Sequence, residues 1–303
     1  MWILISRFLQ TVHYNFEYLN NLQFVLYFCS FYSTICFFYN CVLHNKLKID
    51  YPKELTPLSD NVRSAVHEYG GGAYNVFENE DVESTFNNTT ILYTNFPTFE
   101  LFLASDDGNP PTRTRLYPND NEQSSSCRFA DFEYDKRNKR VYCICEDHTV
   151  STPDGVVNTL CSMSISPDED DNDSSMQTTI TIAEGNDFYS NPVLSPDGTM
   201  LAYVTWNHPS MPWDCTEIHV QKLRSDGSCD GEAILVHGNI DASLEDGISA
   251  VQPLWSPDGV LHYLSDVTGW YNLYTWTWDG ENESGTSNAV YPKDAEFSST
   301  SQG

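Results

Sequence analysis

A chain of 303 residues with 19% charged and 14% aromatic side chains suits many short strands, and excludes a helical bundle rich in Ala, Glu and Lys. Its formal net charge of −28 repels phosphate backbones and sets nucleic-acid binding aside. The excess of acid lies downstream of residue 50, because Arg7, Lys46 and Lys48 outnumber Glu17 and Asp50 before it.

The first predicted element, Tyr18 to Leu43, contains no charged side chain and is followed by Lys46 and Lys48. It is long enough to span a bilayer, which takes roughly 20 mostly apolar residues. The lysines would hold its C-terminal flank on the cytosolic side. Three readings stay open: a membrane anchor, an uncleaved export signal, and upstream sequence foreign to the domain that follows.

From about Asp50 the character changes to short strands and turns. Val66 to Phe77 contains Tyr69-Gly70-Gly71-Gly72-Ala73-Tyr74, whose glycines predict close backbone packing within a strand. Ile91 to Thr94 and Glu100 to Ala104 predict the next two strands, with Thr114 to Tyr117 as an outer one. Phe129 to Cys145 reads as strand, turn at Asp135 to Asn138, strand. Ser195-Pro196-Asp197-Gly198 is a tight turn: Pro presets φ, Asp bonds its own backbone, and Gly accepts a positive φ. Met200 to Val204 follows as a half-buried strand.

The same unit returns at Trp255-Ser256-Pro257-Asp258-Gly259, followed by Val260 to Ser265. Tyr74 and Tyr134 are 60 residues apart, and Pro192 and Pro253 are 61 apart. A unit recurring near sixty residues predicts an all-β fold, a partial β-propeller of about four to five four-stranded blades. The blades fall at roughly 67–120, 127–185, 188–238 and 250–294. The domain organisation is then an apolar N-terminal segment over 1–49, an incomplete propeller over 50–297 and a polar tail over 298–303.

A serine hydrolase of the α/β type needs a G-x-S-x-G elbow, and the sequence has none. Gly227-Ser228-Cys229-Asp230-Gly231 has the glycine spacing around Cys, yet it lies in a polar run between two strands and reads as a hairpin loop. Asp168 to Ser175 fails as a calcium loop, with Asp173 where Gly is needed and Thr179 where Glu is needed. No C-x-x-C, H-E-x-x-H or clustered His pair occurs, so no catalytic residue, metal ligand or cofactor is predicted. Cys143 and Cys145, on one face of a strand, read as buried apolar fillers. Nine cysteines without a framework spacing lean towards a reducing compartment, so a cytoplasmic location is favoured over membrane anchoring through Tyr18 to Leu43.

The polar groups that remain lie on the long loop from Trp206 to Glu217. His208, Trp213 and Asp214 either fix that loop or present a rim to a substrate or an adjoining domain. Glu68 and Tyr69 are rim candidates on the same grounds.

With these residues in view, the chain resembles the propeller of the prolyl oligopeptidase family of serine peptidases, in its acylaminoacyl-peptidase or dipeptidyl-peptidase-like branch. The resemblance is carried by Asn61-Val62-Arg63, Val66-His67-Glu68-Tyr69-Gly70-Gly71-Gly72-Ala73-Tyr74, Glu146-Asp147-His148-Thr149 and Gly185-Asn186-Asp187-Phe188-Tyr189-Ser190. The most specific stretch is Trp206-Asn207-His208-Pro209 with Met211-Pro212-Trp213-Asp214. Ser265-Asp266, Gly269-Trp270, Asn272-Leu273-Tyr274 and Asp294-Ala295-Glu296-Phe297 complete it.

The resemblance covers about residues 52 to 297. It implies a propeller that caps an α/β-hydrolase domain, admitting short peptides to a Ser-Asp-His triad and excluding folded proteins. No part of this sequence matches that hydrolase domain, so the implied role is a substrate-gating cap with no catalytic residue of its own. Its implied partners are a peptide substrate or the hydrolase domain. A stand-alone propeller serving as an interaction module, with loop rims as its binding surface, is the alternative.

Overall fold

Successive side chains of a strand point to opposite faces, so alternating apolar residues become the buried face of a sheet. The computed structural model describes residues 54–79, 88–106, 111–118, 126–150, 152, 155–165, 179–240, 246–280 and 285–298. The chain divides into two compact units, Met1–Leu58 and Ser59–Gly303, and every described strand belongs to the second. Tyr18 to Leu43, the acidic run Asp168 to Ser175 and most of the polar tail lie outside the described residues. No helix among the described residues is long and apolar enough to cross a membrane.

Among the described residues sixteen strands form four sheets, each an antiparallel meander in sequence order. Blade 1 holds β1 (Tyr74–Asn79), β2 (Asn88–Asn95), β3 (Glu100–Ser105) and β4 (Thr112–Tyr117). Blade 2 holds β5 (Cys127–Asp135), β6 (Arg140–Asp147), β7 (Val157–Ser164) and β8 (Ile180–Ala183). Blade 3 holds β9 (Phe188–Leu194), β10 (Met200–Trp206), β11 (Glu217–Lys222) and β12 (Ile234–Gly238). Blade 4 holds β13 (Ala250–Trp255), β14 (Leu261–Ser265), β15 (Asn272–Trp278) and β16 (Gly285–Ala289). The predicted blade limits hold, and four blades are described. Gly227 to Gly231 lies between β11 and β12, as expected of a hairpin loop.

The first strands neighbour one another in turn, β1 against β5, β5 against β9 and β9 against β13. The sheets therefore fan from a shared axis. No comparable contact returns from β13 to β1 among the described residues. Three apolar cores fill the spaces between blades. Leu92, Leu101, Phe129, Val141 and Met163 lie between blades 1 and 2. Tyr142, Leu160, Tyr189, Leu201 and Tyr203 lie between blades 2 and 3. Val204, Ile218, Trp255, Tyr263 and Trp276 lie between blades 3 and 4. Each such large side chain contributes about 1.5–3 kcal/mol by leaving water.

One irregularity repeats with the blades. In β5, β9 and β13 two residues oppose one on the partner strand, between Ala130 and Glu133, between Ser190 and Val193, and between Val251 and Leu254. This is a β-bulge, which re-aims the chain near the axis. Its left-handed residues are Asp131 (φ 55°), Asn191 (φ 50°) and Gln252 (φ 55°). Gly71 (φ 93°), sixty residues before Asp131, is their counterpart in blade 1. A side chain there would also bring Cβ to 2.9 Å from Ala130 Cβ, so the position requires glycine. The expected close packing of these glycines holds, but they precede β1, which begins at Tyr74, rather than lying within a strand.

At the far end of the blades sit the two Ser-Pro-Asp-Gly turns. Gly198 N–H donates to Ser195 O at 2.8 Å, and Gly259 N–H donates to Ser256 O at 2.9 Å. Arg137, from the turn between β5 and β6, donates to the carbonyls of Asp197 and Gly198 and so ties blade 2 to blade 3.

Candidate functional site

The other end of the blades gathers the long loops. The segment Ser64 to Gly70 turns tightly before β1, with Gly70 N–H donating to Val66 O at 2.9 Å. This turn forces His67 (φ 56°) and Glu68 (φ 66°) into the left-handed region, a strain of about 1 kcal/mol or more per residue. Its anchor is Glu146 at the end of β6, whose Oε2 accepts the His67 N–H at 2.6 Å.

The His67 ring is then carried onto blade 3. It lies edge-on to Phe188 at 5.3 Å and to Trp206 at 5.2 Å, the start of β9 and the end of β10. Phe188 and Trp206 stack at 5.2 Å, and His208 meets Phe188 edge-on at 4.8 Å. Tyr69 reaches the His67 ring at 5.9 Å and remains half exposed. Burial lowers the His67 pKa from its ordinary 6.5, opposed by the charges of Glu146 and Asp131. Its Nε2 is buried with no hydrogen-bond partner among the described residues. Burial also raises the Tyr69 pKa, helped by Asp131 and Glu146.

Beside the rings lies a charged cluster. Arg128 Nη1 is 2.8 Å from Glu68 Oε1 and 3.3 Å from Glu146 Oε1, while His148 Nε2 is 2.6 Å from the same Glu146 oxygen. Glu68, Glu146 and His148 bring ligand atoms within 4.8 Å of one another, a spacing that suits a cation. The Arg128 guanidinium already supplies that positive charge. The cluster is thus an ion-pair network around a Glu146 side chain only 3% exposed.

Of the five residues singled out from the sequence, Glu68, Tyr69 and His208 come together here. Trp213 and Asp214 do not. Asp214 Oδ2 accepts the Met211 N–H at 2.9 Å, and Ser249 Oγ donates to Pro212 O at 2.7 Å, so this part of the loop is fastened towards blade 4. Trp213 is partly exposed on it. His208 is held through its backbone, its N–H donating to Asp187 Oδ2 at 2.8 Å.

Sequence reasoning did not name His67, Arg128, Glu146, His148, Phe188 or Trp206 as rim candidates, although all but Arg128 stand in the stretches that carry the resemblance. The available signal was that the stretches around Glu68, Glu146, Phe188 and Trp206 are separated in sequence yet each adjoins the same end of a blade. Away from this cluster, a hollow lies on the outward face of blade 1. It has a volume of about 670 Å³ and is lined by Asp60, Asn95, Glu100, Phe102, Arg113 and Arg115. Arg113 lies 3.4 Å above the Phe102 ring and 2.6 Å from Asp60 Oδ2, which also accepts the Tyr93 hydroxyl at 2.7 Å. Burial and Asp60 together push the Tyr93 hydroxyl far above its ordinary pKa.

These sheets and their polar rim define a partial β-propeller, with four antiparallel blades among the described residues. No family model and no curated protein matches the sequence. Among solved structures, a puromycin-hydrolyzing peptidase of Mycobacterium tuberculosis matches with a TM-score of 0.64 and 27% identity, over 82% of this chain and 35% of that one. A puromycin hydrolase and its S511A mutant complexed with PGG each match with a TM-score of 0.62 and 24% identity, over 77% of this chain and 33% of theirs. The chain thus spans about a third of the length of the peptidases it is similar to. The likeness to the propeller of prolyl oligopeptidase-family peptidases, expected from the sequence, holds in the structure.

Proposed function

We propose that this chain is the substrate-gating propeller of a serine peptidase, meeting short peptides at the rim that carries His67, Glu68, Tyr69, Phe188, Trp206 and His208. The observation that carries this reading is convergence: segments from before β1, the end of β6, the start of β9 and the end of β10 meet at one place. Aromatic faces take apolar side chains, and an exposed carboxylate beside them takes a cationic group of a peptide. In this role the propeller sorts and holds peptides, while an α/β-hydrolase domain cuts them. The structural neighbours support peptide-like amides as the ligand class.

A second reading, an interaction module, is favoured by the outward face of blade 1, which is finished with the Asp60, Tyr93 and Arg113 network and a polar hollow. Amide hydrogen exchange on the full chain, with and without millimolar short unblocked peptide, separates the two. Protection at 65–70, 146–150, 185–190 and 206–210 supports the gating role. Protection confined to 93–115 supports the second reading, and no protection anywhere contradicts both.

A further inference from the structure

Four thiols share one face of blade 2. β6 carries Cys143 and Cys145 two residues apart, and Cys161 on β7 is the direct register partner of Cys143. Cys127 on β5 is diagonal to Cys145, whose own partner is Phe129. A weak side-chain hydrogen bond joins the Cys143 and Cys161 thiols. All four pack in the core between blades 1 and 2, and none of them is joined in a disulfide.

We infer that Cys143 and Cys161 are a redox-active pair that closes into a cross-strand disulfide, while Cys127 and Cys145 remain thiols. Register selects this pair from the four. Directly opposed residues of an antiparallel ladder have Cα atoms about 4.5–5.5 Å apart, inside the roughly 4.4–6.8 Å that a disulfide spans. Diagonal neighbours stand about 7–8 Å apart and cannot be joined without moving a strand. The Cys143 and Cys161 sulfurs are 3.7 Å apart, close enough that side-chain rotation and a small strand shift complete the bond. The β7–β8 ladder shifts register between Leu160 and Cys161, with Ile182 as the extra residue, so the pairing of β7 on that side is already irregular.

The oxidant is a low-molecular-weight disulfide. Cys161 loses its proton and its sulfur attacks the small disulfide, breaking that S–S bond and releasing one small thiol, which takes up a proton. The Cys143 thiolate then attacks the Cys161 sulfur of the mixed disulfide and expels the second small thiol. Two protein thiols and one small disulfide become one protein disulfide and two small thiols. The hydrogen bond with Cys143 and complete burial hold the Cys161 thiol far from ionisation. Exchange therefore proceeds while the core between blades 1 and 2 is open, during folding or local opening.

The test is to refold the full chain in glutathione buffers of oxidising and reducing poise, block remaining thiols by alkylation and map the peptides by mass spectrometry. The expected result at the oxidising poise is a Cys143 peptide joined to a Cys161 peptide, with Cys127 and Cys145 alkylated. Closing this short loop should raise Tm by about 5 °C or more over the reduced chain. C127A and C145A should keep the linkage, and C161A should abolish both linkage and rise. If C161A does not fold, the peptide map of the unsubstituted chain decides alone. Four alkylated thiols at the oxidising poise, or a linkage of Cys127 to Cys145, would overturn the inference.

Discussion

Asp131 Oδ2 accepts the backbone N–H of Asn191 at 2.9 Å, and the two residues, sixty apart in sequence, hold the same left-handed bulge position in neighbouring blades. Asp131 Oδ1 accepts the Gly72 N–H at 2.6 Å, so one carboxylate joins blade 2 to both of its neighbours near the axis. D131A should therefore cost about 2–3 kcal/mol in denaturant unfolding, the loss of two hydrogen bonds to a charged acceptor. D131N should cost less, because Asn tolerates the left-handed backbone and keeps one acceptor. A neutral effect of D131A would show that the carboxylate does not join the blades.

Arg128 should matter more than its exposed relatives. Its removal leaves the buried Glu146 carboxylate without its main counter-charge, a loss of about 2–3 kcal/mol. Arg115, paired with Glu100 at 3.4 Å on the open face of blade 1, should cost about 0.5 kcal/mol or less as R115A. Urea midpoints of R128A and R115A give the comparison. Similar midpoints would contradict the ion-pair network as the support of the rim.

Acid should loosen the fold in two stages. Burial lowers the folded-state pKa of His67 and of His237 from 6.5, so the unfolded chain takes up those protons first as pH falls. Their stabilising effect is full above about pH 6.5 and declines below it. Glu217 acts in the same direction at lower pH. Its hydrogen bond with His219 leads the causes that hold the carboxyl below 4.5, so its contribution is present above that value and fades as pH drops further. Thermal melts from pH 7.5 to 4 should show Tm falling below pH 6.5. The H67Q/H237Q double variant should flatten the first part of that fall, and an unchanged slope would contradict the assignment.

The bond between blades 3 and 4 is testable by a single deletion. Trp255 Nε1–H donates to Val193 O at 3.1 Å across the core that also holds Trp276. W255F keeps most of the apolar surface but strands that carbonyl, so a loss of about 1–3 kcal/mol is expected in equilibrium unfolding. A neutral effect would place water or another donor at Val193.

The fold was legible because the repeat is carried by strong local chemistry. Pro196, Asp197 and Gly198 specify their turn without help from the rest of the chain, and Pro257, Asp258 and Gly259 repeat it one blade later. The sixty-residue period then marks the limits of the four described blades. The bulges were not legible: Asp131, Asn191 and Gln252 share a backbone conformation but no side-chain type, and only strand pairing reveals it. The site was half legible for the same reason. Glu68, Tyr69 and His208 stood out as polar or aromatic groups in loops. Phe188 and Trp206 stood only in the stretches that carry the resemblance, and Trp213 stood close to His208 in sequence while the chain carries it towards blade 4. Nearness along a loop does not report which blade the loop leans on.

The most direct measurement is isothermal titration of a short unblocked peptide into the full chain and into its Y69A and E68Q variants, both altered at exposed rim positions. Saturable binding in the micromolar to millimolar range is expected, weakened about fivefold or more by Y69A, with a smaller loss for E68Q. Binding that is absent at millimolar peptide, or equally strong in all three proteins, would contradict a peptide-facing rim at Glu68, Tyr69 and His208.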